Sequence, residues 1–238
     1  MKFIAYTFFY VMMLLAMLTV SIVAFSIISV QLSRADDGIG VLRTATVHLT
    51  GATGGVVYGK SGKKYILTNW HVCASLKSDD IVGMYDNGKV LTGHVVSISP
   101  GSDLCAAVIK DNVPAIKLAK NPKLDNLLTR GYPSGVVTES SGFATGTETW
   151  VYEFEVERIG HCPDTAQVNY DHGVVYSCTL NWTSTITTLF SRPGSSGSPV
   201  VDLTGGLVGV ISSEGGQGND FCGGMVPYLE VKTFLDNL

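Results

Sequence analysis

Charge is scarce in this chain: 15% of its 238 residues are Asp, Glu, Lys or Arg, and the net charge is −4. The lysines and arginines are scattered, so no basic stripe exists to track a phosphate backbone, which argues against a nucleic-acid partner. No run of like charge offers an interaction tail. None of the five cysteines falls in a Cys-x-x-Cys pair, so the usual spacing of a zinc site is absent, and no metal or cofactor is implied. Internal repeats and low-complexity tracts are also missing.

The most informative absence is local. Residues 3–30 carry no charged side chain, and the run is dense in Phe, Met, Leu, Val and Ile. Its 28 residues exceed the roughly 20 needed to cross a bilayer as a helix. A cleavable signal peptide is the competing reading, with Lys2 as its positive start and Ser33-Arg34-Ala35 at the cut. A signal peptide's apolar core is about 7–15 residues, so length favours an uncleaved single-pass anchor within residues 1–35. Lys2 and the amino terminus flank one side of it, and Arg34, Asp36 and Asp37 the other. The positive-inside rule then leans towards an exported body, residues 36–238, on the extracytoplasmic side of a membrane. Secretion after cleavage is the alternative. Asn181-Trp182-Thr183 is a glycosylation sequon and fits export, although the pattern is short.

In an exported domain disulfides are allowed. Cys162 and Cys178 bracket a polar stretch that reads as a hairpin tip and could staple it. Cys73 follows His71 by two residues, and Cys105 follows Asp103 by two. If His71 and Asp103 meet in space, those cysteines can meet as well. Five free buried thiols remain the alternative. The odd count leaves one cysteine unpaired in any case, and Cys222 is the candidate.

The body is rich in glycine, valine and threonine, as short strands joined by tight turns require. Strands are expected over 41–49, 54–58, 65–68, 89–98 and 104–109 in a first half, after a polar linker over 31–40. In a second half they are expected over 143–147, 150–159, 174–177, 186–189, 198–201 and 207–212. A closing helix over 228–238 would bury Leu229, Phe234 and Leu235. This pattern argues an all-β barrel or sandwich and not a parallel sheet.

Three motifs carry chemistry. Pro193-Gly194-Ser195-Ser196-Gly197-Ser198-Pro199 places glycines two residues before and directly after a serine. Acyl transfer by serine needs its hydroxyl exposed on a tight turn, with backbone N–H groups aimed at the developing oxyanion. Ile66-Leu67-Thr68-Asn69-Trp70-His71-Val72 delivers a histidine from an apolar strand, and Asp103-Leu104-Cys105-Ala106-Ala107-Val108 sets an aspartate before one. The order His, Asp, Ser differs from that of subtilisin and the α/β-hydrolases.

Together the motifs resemble the trypsin-like (chymotrypsin-fold) serine proteases, over roughly 41–238. The resemblance implies two antiparallel six-stranded β-barrels, about 41–118 and 130–238, with a short C-terminal helix. It implies His71, Asp103 and Ser196 as a catalytic triad, and the amides of Gly194 and Ser196 as an oxyanion hole. Protein or peptide substrates follow, cleaved through an acyl-enzyme. By position, Phe190 would lie at the base of the S1 pocket, with Ser212, Ser213 and Glu214 as a wall that pairs with substrate. An apolar base argues for a small or medium apolar residue at the cleaved bond.

The C-terminal segments Leu207-Val208-Gly209-Val210-Ile211 and Gly224-Met225-Val226-Pro227-Tyr228 resemble the end of an HtrA protease domain. Two features depart from the wider family. Ser195 stands where zymogens carry an aspartate, and no Ile-Val-Gly-Gly start occurs, which argues against activation by N-terminal cleavage. The sequence given also leaves no room for the PDZ domain of HtrA proteins. A protease-like binding module without activity is the rival reading; such modules usually lose a triad member, and all three are present here.

Overall fold

The computed structural model describes residues 2–76, 78–215 and 222–238; the side chains of 2–11, 14, 15, 31–35, 213–215 and 222 lie outside the description. The uncharged run forms the first part of one helix, α1 (Lys2–Ala45), 44 residues long. The polar linker expected over 31–40 and the strand expected from 41 both give way to this helix, and pairing begins only at Thr46. Tertiary burial explains the difference. Leu42 and Ala45 are completely buried in the core. Gly38 fits a site where a Cβ would come within 2.7 Å of Leu128 Cδ1 and 3.2 Å of the Asp202 carbonyl. No proline interrupts the segment, so docking of the last turns overrides the strand preference of residue 41. Among the described residues no helix is long and apolar enough to cross a membrane. The longest continuous stretch of α1 with described side chains, 16–30, projects apolar groups such as Val20 and Phe25 into open space.

Six antiparallel strands close the first barrel: β1 (Thr46–Leu49), β2 (Ala52–Tyr58), β3 (Lys64–Thr68), β4 (Asp80–Met84), β5 (Val90–Ser99) and β6 (Leu104–Ile109). Their order is β1-β2-β3-β6-β5-β4. The short helix α2 (Trp70–Ala74) follows β3. Apolar side chains along β3 and β6 make these two adjacent strands a deeply buried part of the barrel's wall: Ile66, Leu104 and Ala106 are fully buried.

The second half contains β7 (Leu127–Gly131), β8 (Thr138–Gly142), β9 (Ala144–Glu155), α3 (Val156–Ile159), β10 (Gln167–Asp171), β11 (Val174–Phe190), β12 (Pro199–Asp202), β13 (Leu207–Gly215) and β14 (Cys222–Val226). Here the expected second six-stranded barrel is corrected to an eight-stranded sheet, in the order β10-β11-β14-β13-β12-β7-β8 with β9 also on β11. The 17-residue β11 is long enough to pair with β14 near its end and with β9 and β10 along an arm that extends beyond the barrel. Because β8 runs on through Phe143 into β9, the sheet curls back upon β11; Thr188 N–H donates to the Phe143 carbonyl at 3.0 Å across that seam.

The chain ends in α4 (Tyr228–Asp236). Its buried face is Val231, Phe234 and Leu235, whereas Leu229, expected inside, is 70% exposed. This face completes the core of the first barrel, although the helix leaves from the second. Two disulfides form, Cys73–Cys105 and Cys162–Cys178, so the reading of five free thiols fails. The side chain of Cys222 lies outside the described residues.

A charged cluster fastens the end of α1 to both halves. Arg43 donates two hydrogen bonds to the Glu139 carboxylate, each 2.8 Å. Buried Arg130 bridges Glu139 to Asp86, which also accepts the Tyr132 hydroxyl at 2.5 Å. The hydrogen bond from Arg43, aided by Arg130, holds the Glu139 carboxyl below the ordinary glutamate range, against partial burial. A folded-state pKa below the unfolded one means the contribution is present above the unfolded pKa and is lost as pH falls through the folded value. Glu139→Gln is therefore expected to lower the thermal midpoint by about 2–4 °C at pH 7, and the gap should close in acid. Equal midpoints at pH 7 would show that the cluster contributes nothing.

Candidate active site

Pairing of β3 with β6 sets Thr68 opposite Cys105. The residues just beyond each strand end are thereby neighbours: His71, on the first turn of α2, and Asp103, directly before β6. Asp103 takes a left-handed backbone, φ 51°, after a tight turn over Pro100–Ser102. Both Asp103 carboxylate oxygens lie 3.0 Å from His71 Nδ1, and the His71 main-chain N–H donates to Oδ1 at 3.1 Å. Asn69 Nδ2 donates to the Asp103 carbonyl at 3.0 Å. The Cys73–Cys105 disulfide clamps the same two segments. Asp103 is 1% exposed. That burial pushes its carboxyl above the ordinary aspartate value, opposed by the charge and hydrogen bonds of His71. One imidazole nitrogen is thus held by the carboxylate; among the described residues no protein group bonds the other, Nε2.

Ser196 lies on the loop between β11 and β12, and barrel one grips that loop from the other side. Thr53 N–H donates to the Ser196 carbonyl and Thr53 Oγ1 to the Gly194 carbonyl, both at 2.8 Å. Thr68, three residues before His71, in turn donates its hydroxyl to the Thr53 carbonyl at 2.8 Å. Gly197 packs into this contact so closely that a Cβ would lie 2.0 Å from the Thr53 carbonyl oxygen, and its φ is +86°. Gly194, φ +97°, faces the Tyr132 carbonyl, where a Cβ would be 2.6 Å away. Both glycines of the motif are required by conformation and by space.

The loop's hydrogen bonds follow a pattern. The carbonyls of Arg192, Pro193, Gly194, Ser195 and Ser196 accept hydrogen bonds from Ser195 N–H, Ser134 N–H, the Thr53 hydroxyl, Ser198 N–H and Thr53 N–H respectively. The N–H groups of Ser195, Gly197 and Ser198 donate within the protein as well. Among the described residues, those of Gly194 and Ser196 meet no acceptor. Two bare N–H groups on one tight loop can receive an oxygen that gains negative charge. Ser195, in place of an acid, is buried and accepts the Arg192 N–H on its hydroxyl at 3.1 Å.

The pocket residues fall out less evenly. Phe190 is half-buried and lines a small cavity with Thr129, Thr138, Ser140 and Ser198; the Arg192 guanidinium lies over its ring at 5.2 Å. Ser212 is buried, its hydroxyl directed to the Gly224 carbonyl at 3.4 Å. Ser213 and Glu214 belong to β13, but their side chains lie outside the described residues. A cavity of about 800 Å³ elsewhere on the molecule is lined by residues such as Val41, Lys117 and Thr204 and by none of these pocket residues. Among the described residues no cluster of His, Cys, Asp or Glu could hold a metal ion. Sequence reading overlooked Thr53 and Ser134, whose contribution is a backbone or hydroxyl contact with no motif of its own. It also overlooked an aromatic wall: the rings of Phe154 and Trp182 lie nearly parallel to that of His71, at 6.3 and 6.2 Å between centroids.

Comparison with known proteins meets this geometry. A family model described as the trypsin-like peptidase domain matches residues 52–210. The serine protease Do-like HtrA of Lactococcus lactis subsp. cremoris is 24% identical over 185 residues, 76% of this chain and 40% of the relative. That of L. lactis subsp. lactis is 24% identical over 174 residues, 72% of this chain and 39% of the relative. The chain spans about two fifths of the length of these curated relatives. Among solved structures, a protease of M. tuberculosis in its active form aligns at TM-score 0.60 and 19% identity, over 83% of this chain and 82% of that one. The serine endoprotease from Yersinia pestis aligns at TM-score 0.60 and 18% identity, over 85% and 65%. The fold is chymotrypsin-like, mostly β with one closed six-stranded barrel, and the chain belongs to the trypsin-like peptidase family of serine hydrolases.

Proposed function

We propose that the protein is a serine endopeptidase in which His71, Asp103 and Ser196 act as a triad on protein or peptide substrates outside the cytoplasm. The observation that carries this reading is the pair of bare amides, Gly194 and Ser196, in a loop where the carbonyls from Arg192 to Ser196 and the N–H groups of Ser195, Gly197 and Ser198 are all bonded. They supply an oxyanion hole that needs no rearrangement, because Ser134 N–H keeps the Pro193 carbonyl turned away at 2.8 Å. His71 Nε2 takes the proton of Ser196 Oγ as that oxygen bonds the substrate carbonyl carbon. The carbonyl oxygen becomes the oxyanion in the hole. His71 then gives the proton to the leaving amine as the C–N bond breaks, and water hydrolyses the acyl-enzyme by the same route. Asp103 orients the imidazole and stabilises its charged form.

Ser196→Ala in the detergent-solubilised full chain should abolish casein hydrolysis and labelling by a fluorophosphonate probe. Retained labelling would transfer the role to Ser195 or Ser198, and a wild type that never labels would favour a silent binding module. Asp103→Asn separates catalysis from stability. Burial raises the Asp103 pKa, so its ionisation opposes folding increasingly as pH rises from the unfolded value through the folded one. The variant should lose about 10⁴-fold in kcat, yet melt at an equal or higher temperature at pH 8. A large drop in midpoint at that pH would show that the buried carboxylate stabilises the fold.

The same reading includes an anchor in α1. Along 16–30 every hydroxyl, from Thr19, Ser21, Ser26 and Ser29, donates back to a carbonyl three or four residues earlier. No polar side-chain group there needs water, as a lipid environment demands. The two disulfides suit an exported body. The full-length product should stay with membranes through carbonate washing and retain its N-terminal peptide. A soluble product starting near Asp36 would replace the anchor with a cleaved signal.

A further inference from the structure

Trp182 sits on β11, in the arm of the second half, yet its indole reaches the turn that presents Asp103. Its Nε1–H donates to the Pro100 carbonyl at 2.6 Å, 82 residues away in sequence. That carbonyl is also the acceptor that closes the turn, from Asp103 N–H at 3.4 Å, a distance near the limit for such a bond. Asp103 itself holds φ 51°, a left-handed conformation uncommon outside glycine, although aspartate is among the residues that tolerate it. The strong contact on the Pro100 carbonyl therefore comes from Trp182 and not from the turn.

The ring makes a second contact. Trp182 is 2% exposed, lies 6.2 Å from the His71 ring at 28° between planes, and packs edge-on against Trp70 at 6.3 Å. Tyr152 and Phe154 of β9 hold it from the other sides, at 4.5 and 5.5 Å. Cys178, Leu180 and Trp182 alternate along β11, so one face of the strand presents all three to this cluster. The cluster also includes the Cys162–Cys178 disulfide, towards the outer end of the arm where β11 pairs with β10.

We infer that Trp182 is a positioning residue for the proposed triad: its N–H fixes the turn that aims Asp103, and its ring limits the rotation of His71. The inference rests on the triad reading, but what it claims is a geometry that can be read without turnover. The half of the molecule that carries Ser196 would then also set the geometry of the His71–Asp103 pair on the other half.

The test uses the full chain in detergent. Trp182→Phe removes the donor and keeps most of the ring, and replacement of the indole by benzothiophene removes the N–H with almost no change of shape. Both should lower kcat about tenfold, the worth of one hydrogen bond, with KM within a factor of two. Both should also broaden or abolish the low-field proton resonance of the bond between His71 Nδ1 and Asp103. The benzothiophene protein should melt with the wild type. Unchanged kcat and an unchanged low-field signal in that protein would overturn the positioning role. Loss of the signal without any Ser196-dependent probe labelling in the wild type would instead support the role while overturning the enzyme reading.

Discussion

The register between β3 and β6 is the constraint from which the site grows. Once Thr68 faces Cys105, the chain leaving one strand and the chain entering the other have nowhere to go but past each other. A histidine and an aspartate placed at those exits must meet, and a disulfide two residues further along each then closes at its natural span. The hydroxyl of Thr68, at the end of the same strand, continues the line through Thr53 to the Ser196 loop. One ladder thus sets the positions of groups that lie far apart in sequence and belong to both halves. A slip of one residue would exchange the two faces of β3, both of them buried beyond Lys64, and undo the arrangement as a whole.

Much of this was legible because acyl-transfer chemistry asks for particular residue types inside short windows. Gly194 and Gly197 could be read as conformational requirements before any coordinates, and both prove to have positive φ and no room for a Cβ. The apolar run 104–109 likewise announces its strand. What failed was decided by distant contacts. β8 has the sequence Thr-Glu-Ser-Ser-Gly, which carries no apolar signal, and exists because β7 offers it a partner. The polar residues within 178–185 divide β11 in two on the sequence, yet Ser184 and Thr185 are buried in the continuous strand. The last turns of α1 looked like linker because the core that receives Leu42 and Ala45 is not visible locally. Trp182 stood out only as the middle of a sequon, since its partner carbonyl is so remote.

The two halves exchange support in both directions. Arg43 and Arg130 tie the helix end and the second sheet to Asp86 on the first barrel, through charged hydrogen bonds that water can reach in part. The arm answers with an aromatic cluster that excludes water from one side of His71. These are different kinds of fastening. The first weakens with salt and acid, whereas the second depends on packing and on the closed Cys162–Cys178 disulfide within the arm.

The placement of α4 has a consequence for the order in which the molecule can assemble. Val231, Phe234 and Leu235 belong to the core of the first barrel, and the carbonyls of Leu235 and Leu238 are held by Lys60 and Tyr65. A ribosome releasing this chain delivers all six strands of that barrel long before the residues that seal it. The barrel would wait, half-covered, while the second sheet is made, and its apolar floor would be open to other chains throughout. Such a topology favours slow, late completion and a need for protection until the last helical turn closes over the barrel that carries His71 and Asp103.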